Sequence, residues 1–182
     1  MKYSNISIAR KTMMHMSEDV KSYLDRAGVP YKIHTANGPA TTAQEAATRL
    51  QVPLSTIIKS IVFTDQDGSP VVAILSGDKR VDRKKLSSVV GASKVKMASA
   101  QDTKALTGFE VGSMPPFGHR KRIATVIDHK VMSFSKVYGG SGTSDALIEI
   151  DPHDIARLTE AKVADITSEE HKCVAVRLKC EP

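Results

Sequence analysis

Two short runs rich in β-branched residues, separated by turn-forming residues, constrain the fold of this chain more than any other feature. The first run covers Ile57 to Thr64 and the second covers Pro70 to Ser76, with Asp65-Gln66-Asp67-Gly68 between them. β-Branched residues favour strands, and a short loop containing Gly between two such runs is typical of a hairpin. The sequence therefore predicts a β-hairpin near the middle of the chain.

Short helices and further strands surround this hairpin. Thr42-Ala43-Gln44-Glu45 fits a capping box that opens a helix over 43–50. We predict further helices opened by Ser17, Asp82, Ser99 and Asp151, and further strands over 31–34, 123–127, 131–137 and 146–150. Because these elements do not repeat a βα unit, we predict an α+β fold with a mixed, curved sheet.

The chain is expected to hold one domain, since its 182 residues are 41% hydrophobic and show no internal repeat or linker. Residues 1–16 have no clear hydrophobic period and are predicted to be a flexible leader. Residues 17–166 are predicted to form the domain, and residues 167–182 a C-terminal extension.

Charge, aromatic content and cysteines narrow the class of function. The 26 Lys and Arg residues against 20 Asp and Glu give a formal charge of +6, while there are only 4 Tyr, 4 Phe and no Trp. If nucleic acid binds, the positive charge predicts contact with its phosphates. The few aromatic residues argue against recognition by stacking several bases on aromatic side chains. Cys173 and Cys180 are expected to be free thiols. The sequence shows no signal peptide and no apolar span, which predicts a cytoplasmic protein without membrane contact.

Standard catalytic motifs are missing. The sequence contains no GxxxxGK[ST], GxSxG or HExxH pattern, and no GxGxxG after a strand. Its six histidines are scattered without ligand spacing, so no metal site is predicted.

Lys59 is the first unusual residue. Alternation along the strand places it on the same face as Ile57, Ile61 and Phe63, where an unpaired charge is costly. Either its stem reaches water from an edge strand, or its ammonium faces a cleft and holds a carbonyl, phosphate or sugar hydroxyl.

Two Gly-rich segments are the next unusual features. Residues 108–119, here called the Pro/Gly loop, include three glycines and the pair Pro115-Pro116, so sterics restrict the backbone and make a stiff loop suited to holding a ligand. Residues 138–145 contain Gly139-Gly140-Ser141-Gly142 and form either a flexible hairpin loop or a nest closing over a substrate. His119 is either a surface residue or a group that titrates near neutrality.

Basic residues form two clusters. Such clusters are commonly solvated faces, but the second one directly follows the Pro/Gly loop, so a polyanion bound there would place its end near that loop. The first cluster comprises Lys79, Arg80, Arg83, Lys84, Lys85, Lys94 and Lys96, and the second Arg120, Lys121 and Arg122.

Three segments, taken in order, resemble the YbaK family, whose domain is also found associated with prolyl-tRNA synthetase. They are Ile58-Lys59-Ser60, the loop Gly112-Ser113-Met114-Pro115-Pro116, and the Gly/Ser segment from Gly139 to Glu149. The resemblance spans about residues 17–165. It implies a mostly antiparallel, barrel-like core and a free-standing deacylase that clears mischarged tRNA without metal or organic cofactor.

The resemblance also implies roles for particular residues. Lys59 matches the family's essential lysine, and Gly112 to Pro116 match the loop that positions the scissile ester, so Lys59, Gly112 and Pro116 are the expected catalytic residues. The expected substrate-binding residues are Ser60, His34, Ser113, Met114, Pro115, His119, Gly140, Ser141 and Asp145. The expected tRNA-binding residues are Lys79, Arg80, Arg83, Lys84, Arg120, Lys121 and Arg122.

The amino acid removed is left open between Ala, Ser, Thr and Cys. The Cys-tRNA(Pro) deacylase branch carries an aromatic residue after its His-Thr pair, whereas Ala36 follows His34-Thr35 here. Two alternatives to a general trans-editing deacylase remain: an enzyme specific for Cys-tRNA(Pro), and a non-catalytic tRNA-binding or regulatory module. The expected partner is mischarged tRNA, while a synthetase partner and the oligomeric state stay open.

Overall fold

The predicted hairpin forms the centre of the larger of two sheets. The computed structural model describes residues 20–35, 38 and 42–168. Strands β2 (Ile58–Asp65) and β3 (Pro70–Ser76) pair antiparallel, from Ile58 opposite Ser76 to Thr64 opposite Pro70. The Asp65 carboxylate accepts hydrogen bonds from the amides of Asp67 and Ser69 at 2.9 and 2.8 Å, which closes the turn. The hairpin prediction is confirmed.

Three more strands complete this sheet in the order β4-β2-β3-β5-β8. Strand β4 (Val95–Met97) pairs antiparallel with the far end of β2, from Phe63 to Asp65. Strands β5 (Ala124–Asp128) and β8 (Lys162–Ala164) extend the sheet on the other side as parallel neighbours. The half of β2 that carries Lys59 is therefore left unpaired by β4.

A second sheet, ordered β1-β7-β6, packs beside the first. It consists of β1 (Tyr31–Thr35), β6 (Val137–Gly140) and β7 (Ala146–Ile150), all antiparallel, and meets the larger sheet at a bridge between Ile57 and Tyr138. The predicted α+β class is confirmed, and four of the six strand pairings in the described residues are antiparallel. The expected barrel-like core is instead two open sheets, and the described strands form no closed barrel.

The predicted helix caps are seen wherever the structure describes them. The side chains of Thr42, Asp82, Ser99 and Asp151 each accept a hydrogen bond from a backbone amide in the first turn that follows. The predicted cap Ser17, the leader 1–16 and the cysteines of the C-terminal extension lie outside the described residues. The helices are α1 (described over 20–27), α2 (Ala43–Leu50), α3 (Arg83–Val90), α4 (Ala100–Thr107) and α5 (Pro152–Thr159), with 3-10 turns at Leu54–Thr56 and His129–Ser133.

One predicted strand, over 131–137, is wrong. Residues His129–Ser133 form a 3-10 turn because the buried Asp128 carboxylate accepts from the Lys130 amide at 3.1 Å and caps it. The strand begins only at Val137 and takes in Gly139 and Gly140, which the sequence placed in a loop.

A core cluster between the sheets and helices anchors the segment between α4 and β5. Phe117 is 1% exposed and stacks on Tyr23 of α1 with ring centroids 5.8 Å apart. Removing such a buried aromatic ring costs about 3–5 kcal/mol. The Pro/Gly loop is therefore held at its C-terminal end by the core.

Hydrogen bonds of the fold continue to the end of the described region. Thr167 pairs with Val81 in an antiparallel bridge, and the Ser168 amide donates to the Arg80 carbonyl at 3.0 Å. No helix within the described ranges is long and apolar enough to cross a membrane.

Candidate active site

A cavity of about 240 Å³, here called the central cavity, opens along the part of β2 that β4 does not cover. Residues 57–61 form one wall, and Thr42, Ala43 and Ala46 from the start of α2 form another. The remaining walls come from Val111, Gly112, Met114, Gly140 and Leu147. The cavity thus joins both sheets, α2 and the Pro/Gly loop.

Lys59 is the charged residue of this cavity. It shares a face of β2 with Ile61 and Phe63, as the alternation predicts. Its Nζ donates to the carbonyls of Gly77 at 2.9 Å and Lys79 at 2.5 Å, and the side chain is half-buried. The ammonium is therefore held by the backbone after β3, and one of its three N–H donors is left for another group.

Burial and two neighbours set the protonation of Lys59. Desolvation by burial lowers its pKa below the ordinary value of 10.5, the Asp78 carboxylate opposes that shift, and the Arg80 guanidinium adds to it. Asp78 was not found by sequence reasoning, because nothing local marks its closeness to β2. Its Oδ1 is buried without a hydrogen-bond partner among the described residues, and its Oδ2 lies 3.5 Å from Lys79 Nζ.

The loop from Gly112 to Pro116 contributes Gly112 and Met114 to the cavity that Lys59 also lines. Gly112 has a φ of +91°, a conformation that favours glycine, and a Cβ added there would meet nothing within 4 Å. Both the amide and Oγ of Ser113 donate to the Glu110 carbonyl at 3.2 Å. The Ser113 carbonyl accepts from the Gly142 amide at 2.9 Å. These hydrogen bonds tie the loop to Glu110 and Gly142, and its backbone is exposed at Gly112.

Strand β6 packs directly on this loop through Gly140. A Cβ at Gly140 would lie 2.5 Å from the Ser113 carbonyl oxygen and 2.6 Å from that of Met114. Pro115 and Pro116 are buried, and the Pro116 ring packs toward Gly139. The two prolines therefore support the loop from behind, while Gly112 and Met114 line the cavity.

A narrow cavity of about 20 Å³ adjoins the central cavity and shares Ala46, Gly112 and Leu147 with it. His34 and Asp145 line it, together with Thr143 and Ser144. His34 Nε2 lies 2.7 Å from the Glu149 carboxylate. Ser141 is buried and its Oγ donates to the Ala146 carbonyl at 2.9 Å, which holds the turn between β6 and β7.

Glu149, on β7, binds Lys136 as well as His34. Lys136 Nζ lies 2.5 Å from its second carboxylate oxygen. The hydrogen bond from Lys136 and then that from His34 lower the pKa of Glu149, against the opposing effect of burial.

The two basic clusters are separated in the fold. Lys79 and Arg80 follow β3 beside the Lys59 ammonium, and Arg83 and Lys84 are exposed at the start of α3. The second cluster lies elsewhere: Lys121 and Arg122 line a cavity of about 270 Å³ with His119, and this cavity shares no lining residue with the central cavity.

His119 is bound to the loop and not to the central cavity. Its Nε2 lies 2.9 Å from the Pro115 carbonyl, and burial lowers its pKa, partly offset by that hydrogen bond. Arg122 forms an ion pair with Glu160. The structure therefore brings together Lys59, Ser60, Gly112, Met114 and Gly140 of the expected residues, and places His119 and Arg120–Arg122 apart from them.

Thr42, Ala43 and Ala46 are site residues that sequence reasoning missed. The capping box located the helix but not what it faces, since its position over β2 depends on tertiary packing.

One group in the described residues has donors close enough for a metal. Ligand atoms of Asp128, His129 and Asp165 lie within 4.8 Å of one another. The Asp128 carboxylate already accepts from the amides of Lys130 and Ile166, and Asp165 pairs with Lys85 at 2.7 Å. These contacts explain the group as part of the fold.

Comparison with known proteins agrees with this geometry. Residues 37–158 match the family described as an aminoacyl-tRNA editing domain. The chain is 31% identical over 144 residues to the Enterococcus faecalis protein named "Putative Cys-tRNA(Pro)/Cys-tRNA(Cys) deacylase EbsC", covering 78% of this chain and 88% of that one. It is 37% identical over 102 residues to proline--tRNA ligase 1 of Bacillus cereus, covering 56% of this chain and 18% of the ligase.

A solved structure shares the fold. The crystal structure described as "a putative trans-editing enzyme for prolyl tRNA synthetase" superposes with a TM-score of 0.78 at 29% identity, covering 85% of this chain and 98% of that one. The match over residues 37–158 contains both Lys59 and the Gly112–Pro116 loop. This chain therefore belongs to the aminoacyl-tRNA editing domain family.

Proposed function

We propose that this protein hydrolyses, in trans, the ester that joins a small amino acid to the 3′ end of a mischarged tRNA. The observation that carries the proposal is that Lys59, whose ammonium is held by two backbone carbonyls, lines the same cavity as the bare backbone of Gly112. Such a site positions a substrate and stabilises charge, which is most of what an activated ester requires.

In the proposed reaction, a water oxygen attacks the ester carbonyl carbon and the bond to the ribose oxygen breaks. The amino acid leaves as a carboxylate; of the two protons of the water, one goes to the ribose oxygen and the other is released to solvent. The third N–H of Lys59 stabilises the negative charge that develops on oxygen. No carboxylate or imidazole lines the central cavity in the described residues, so we assign the orientation of water to the substrate's own hydroxyl group.

The α-ammonium group of the amino acid is assigned to the narrow cavity beside Asp145 and His34, and its side chain to the central cavity. A volume of about 20 Å³ holds a group about the size of one water molecule. The Asp145 carboxylate favours an ammonium group there and offsets the Arg49 guanidinium, which lines the same cavity. We assign the tRNA phosphates to the basic cluster that starts beside Lys59 and continues along the exposed start of α3, which comprises Lys79, Arg80, Arg83 and Lys84. Because charged tRNA is found there, we place the activity in the cytoplasm.

Hydrolysis specific for Cys-tRNA(Pro) is the second candidate, supported by the name of the Enterococcus faecalis relative. Incubating the protein with tRNA charged separately with Ala, Ser, Thr and Cys, and following release of each amino acid, distinguishes the two. Release of several of them supports the general deacylase, and release of Cys alone supports the second candidate. Rates equal to the buffer blank for all four would overturn both and leave a non-catalytic tRNA-binding module.

A lysine pair tests the site. Lys59→Ala is expected to lower kcat/KM about 10²–10³-fold, as removal of a charge-stabilising donor does. Lys162→Ala is the matched control, because Lys162 Nζ also donates to a backbone carbonyl, that of Val89 at 2.8 Å, but is exposed and outside the cavity. Full activity in Lys59→Ala would show that the site is wrongly assigned.

A further inference from the structure

A second large cavity, here called the apolar cavity, adjoins the central cavity and shares no lining residue with the narrow one. It has a volume of about 350 Å³ and shares Ser60, Ile61, Val111 and Met114 with the central cavity. No charged residue lines it in the described part of the chain. One ligand could therefore occupy both cavities, with one part in the apolar cavity and another in the central cavity.

The residues at its mouth are exposed apolar side chains. Met97 at the end of β4 is 58% exposed, and Val111 in the Pro/Gly loop is 64% exposed. Large exposed apolar side chains that meet at one cavity mark a site of binding more often than isolated ones do. The rim also includes Ala100 in the first turn of α4, and the buried Thr103 supplies a hydroxyl.

The edge of β2 offers this cavity a donor and an acceptor. The Val62 carbonyl accepts from the Ala98 amide at 2.9 Å, so it points toward the β4 side of the strand. Alternate residues of a strand direct their amides and carbonyls to the same edge, so the Ser60 amide and carbonyl also point toward the β4 side. Strand β4 does not extend as far as Ser60, and these two groups are not paired by it. Adenine carries an amino donor beside a ring-nitrogen acceptor, which complements such a pair.

Resting on the proposed function, we infer that the apolar cavity binds the adenine base of the 3′-terminal nucleotide. With the ester between Lys59 and Gly112, the amino acid extends toward Asp145 in the narrow cavity. The ribose then carries its base in the opposite direction. A charged α-ammonium group is disfavoured in the apolar cavity, whereas a flat, weakly polar base is accommodated.

The arrangement also accounts for the lack of aromatic residues. The base lies between the Met97 and Val111 side chains and the edge of β2, so shape and backbone hydrogen bonds replace aromatic stacking. Lys96 on β4 and Lys94 in the turn before it are exposed and close to Met97 along the chain, and we assign the preceding phosphates to them.

The test compares two minihelices charged with the amino acid that the wild type releases fastest, one ending in adenosine and one ending in ribose without a base. The wild type is expected to show a kcat/KM about tenfold to a hundredfold higher on the adenosine end, the range typical of one bound base. Ala100→Trp fills the cavity from its exposed rim and should reduce this ratio to about one. Ala105→Trp, an exposed position on the same helix outside the cavity, should retain it.

Two results would overturn the inference. Equal wild-type rates on both ends would mean that no base is bound, and equal loss on both ends in Ala100→Trp would assign the cavity to the amino acid. Met97→Glu, which alters an exposed side chain, provides a second variant if Ala100→Trp does not fold.

A binding measurement separates this inference from the proposed function. The probes are two amides that cannot react as esters: alanine joined to 3′-amino-3′-deoxyadenosine, and the same compound without adenine. Calorimetry should show about tenfold or tighter binding of the adenine-bearing amide to the wild type, and no difference in Ala100→Trp. Equal or absent binding of the two amides would overturn the inference, whether or not the protein hydrolyses any ester.

Discussion

Replacing Gly140 by alanine tests how strongly β6 positions the Pro/Gly loop. Gly140 does not have a positive φ, so alanine is compatible with its backbone conformation and the perturbation is purely steric. The added Cβ would lie 2.5 Å from the Ser113 carbonyl oxygen and 2.6 Å from that of Met114. Both are backbone atoms that cannot rotate away, so the loop itself must move.

The size of the movement follows from these distances. Ordinary contact begins at 3.4 Å, so the Ser113 carbonyl must retreat by about 0.9 Å. Displacing a positioning group by about 1 Å can lower a rate about 10²-fold, equivalent to about 2.7 kcal/mol of transition-state stabilisation. Overpacking of this kind also lowers the free energy of unfolding by about 1–3 kcal/mol.

Gly139→Ala is the matched control on the same strand. Its Cβ would meet the Ile58 side chain at 3.1 and 3.2 Å and the Pro116 ring at 3.5 Å, and the isoleucine can adjust. The assay measures kcat/KM for release of the amino acid, with urea unfolding of both variants. Activity of Gly140→Ala within about threefold of the wild type, with a normal fold, would refute the claim that this contact positions the loop.

Three further outcomes are expected. Burial lowers the pKa of Lys59, and the reaction requires its charged form, so the deacylation rate corrected for the blank should fall on the alkaline side at a pH below 10.5. In Asp78→Asn this fall should come at still lower pH. A rate that does not change with pH up to 10.5 would contradict this. The folded state lowers the pKa of Glu149, so the ionised Glu149 stabilises the fold above the ordinary value of 4.5, and this contribution is lost as the pH falls below it. The difference in free energy of unfolding between wild type and Glu149→Gln, measured in urea, should therefore shrink in acid. A difference independent of pH would exclude this linkage. Asp82→Ala removes the cap of α3 and should lower the free energy of unfolding by about 1 kcal/mol, whereas the exposed Ser88→Ala on the same helix should change it little, and equal effects would argue against the cap.

Several parts of the fold were accessible from the sequence because they depend on neighbours along the chain. The hairpin of β2 and β3, the four observed caps and the face of β2 that carries Lys59 follow from local backbone preference and from the period of two residues in a strand. The predicted strand over 131–137 failed because capping by Asp128 outweighed the β preference of the residues that follow it.

The surroundings of Lys59 depend on tertiary structure. Its ammonium is bound by the carbonyls of Gly77 and Lys79, and the position of Asp78 beside it follows from the pairing of β2 with β3. Likewise, both basic clusters look alike in the sequence, yet packing brings Lys79 and Arg80 beside the Lys59 ammonium and places Lys121 and Arg122 at a different cavity.

The sequence by itself determined which residues could do chemistry here: one lysine on an apolar strand, and a Gly/Pro loop with restricted backbone. Tertiary structure alone decided that they line one cavity, that Gly140 packs β6 against the loop, and that an apolar cavity adjoins the site. The reason is physical, since local preferences act over a few neighbouring residues, whereas these contacts join segments that only sheet pairing and core packing bring together.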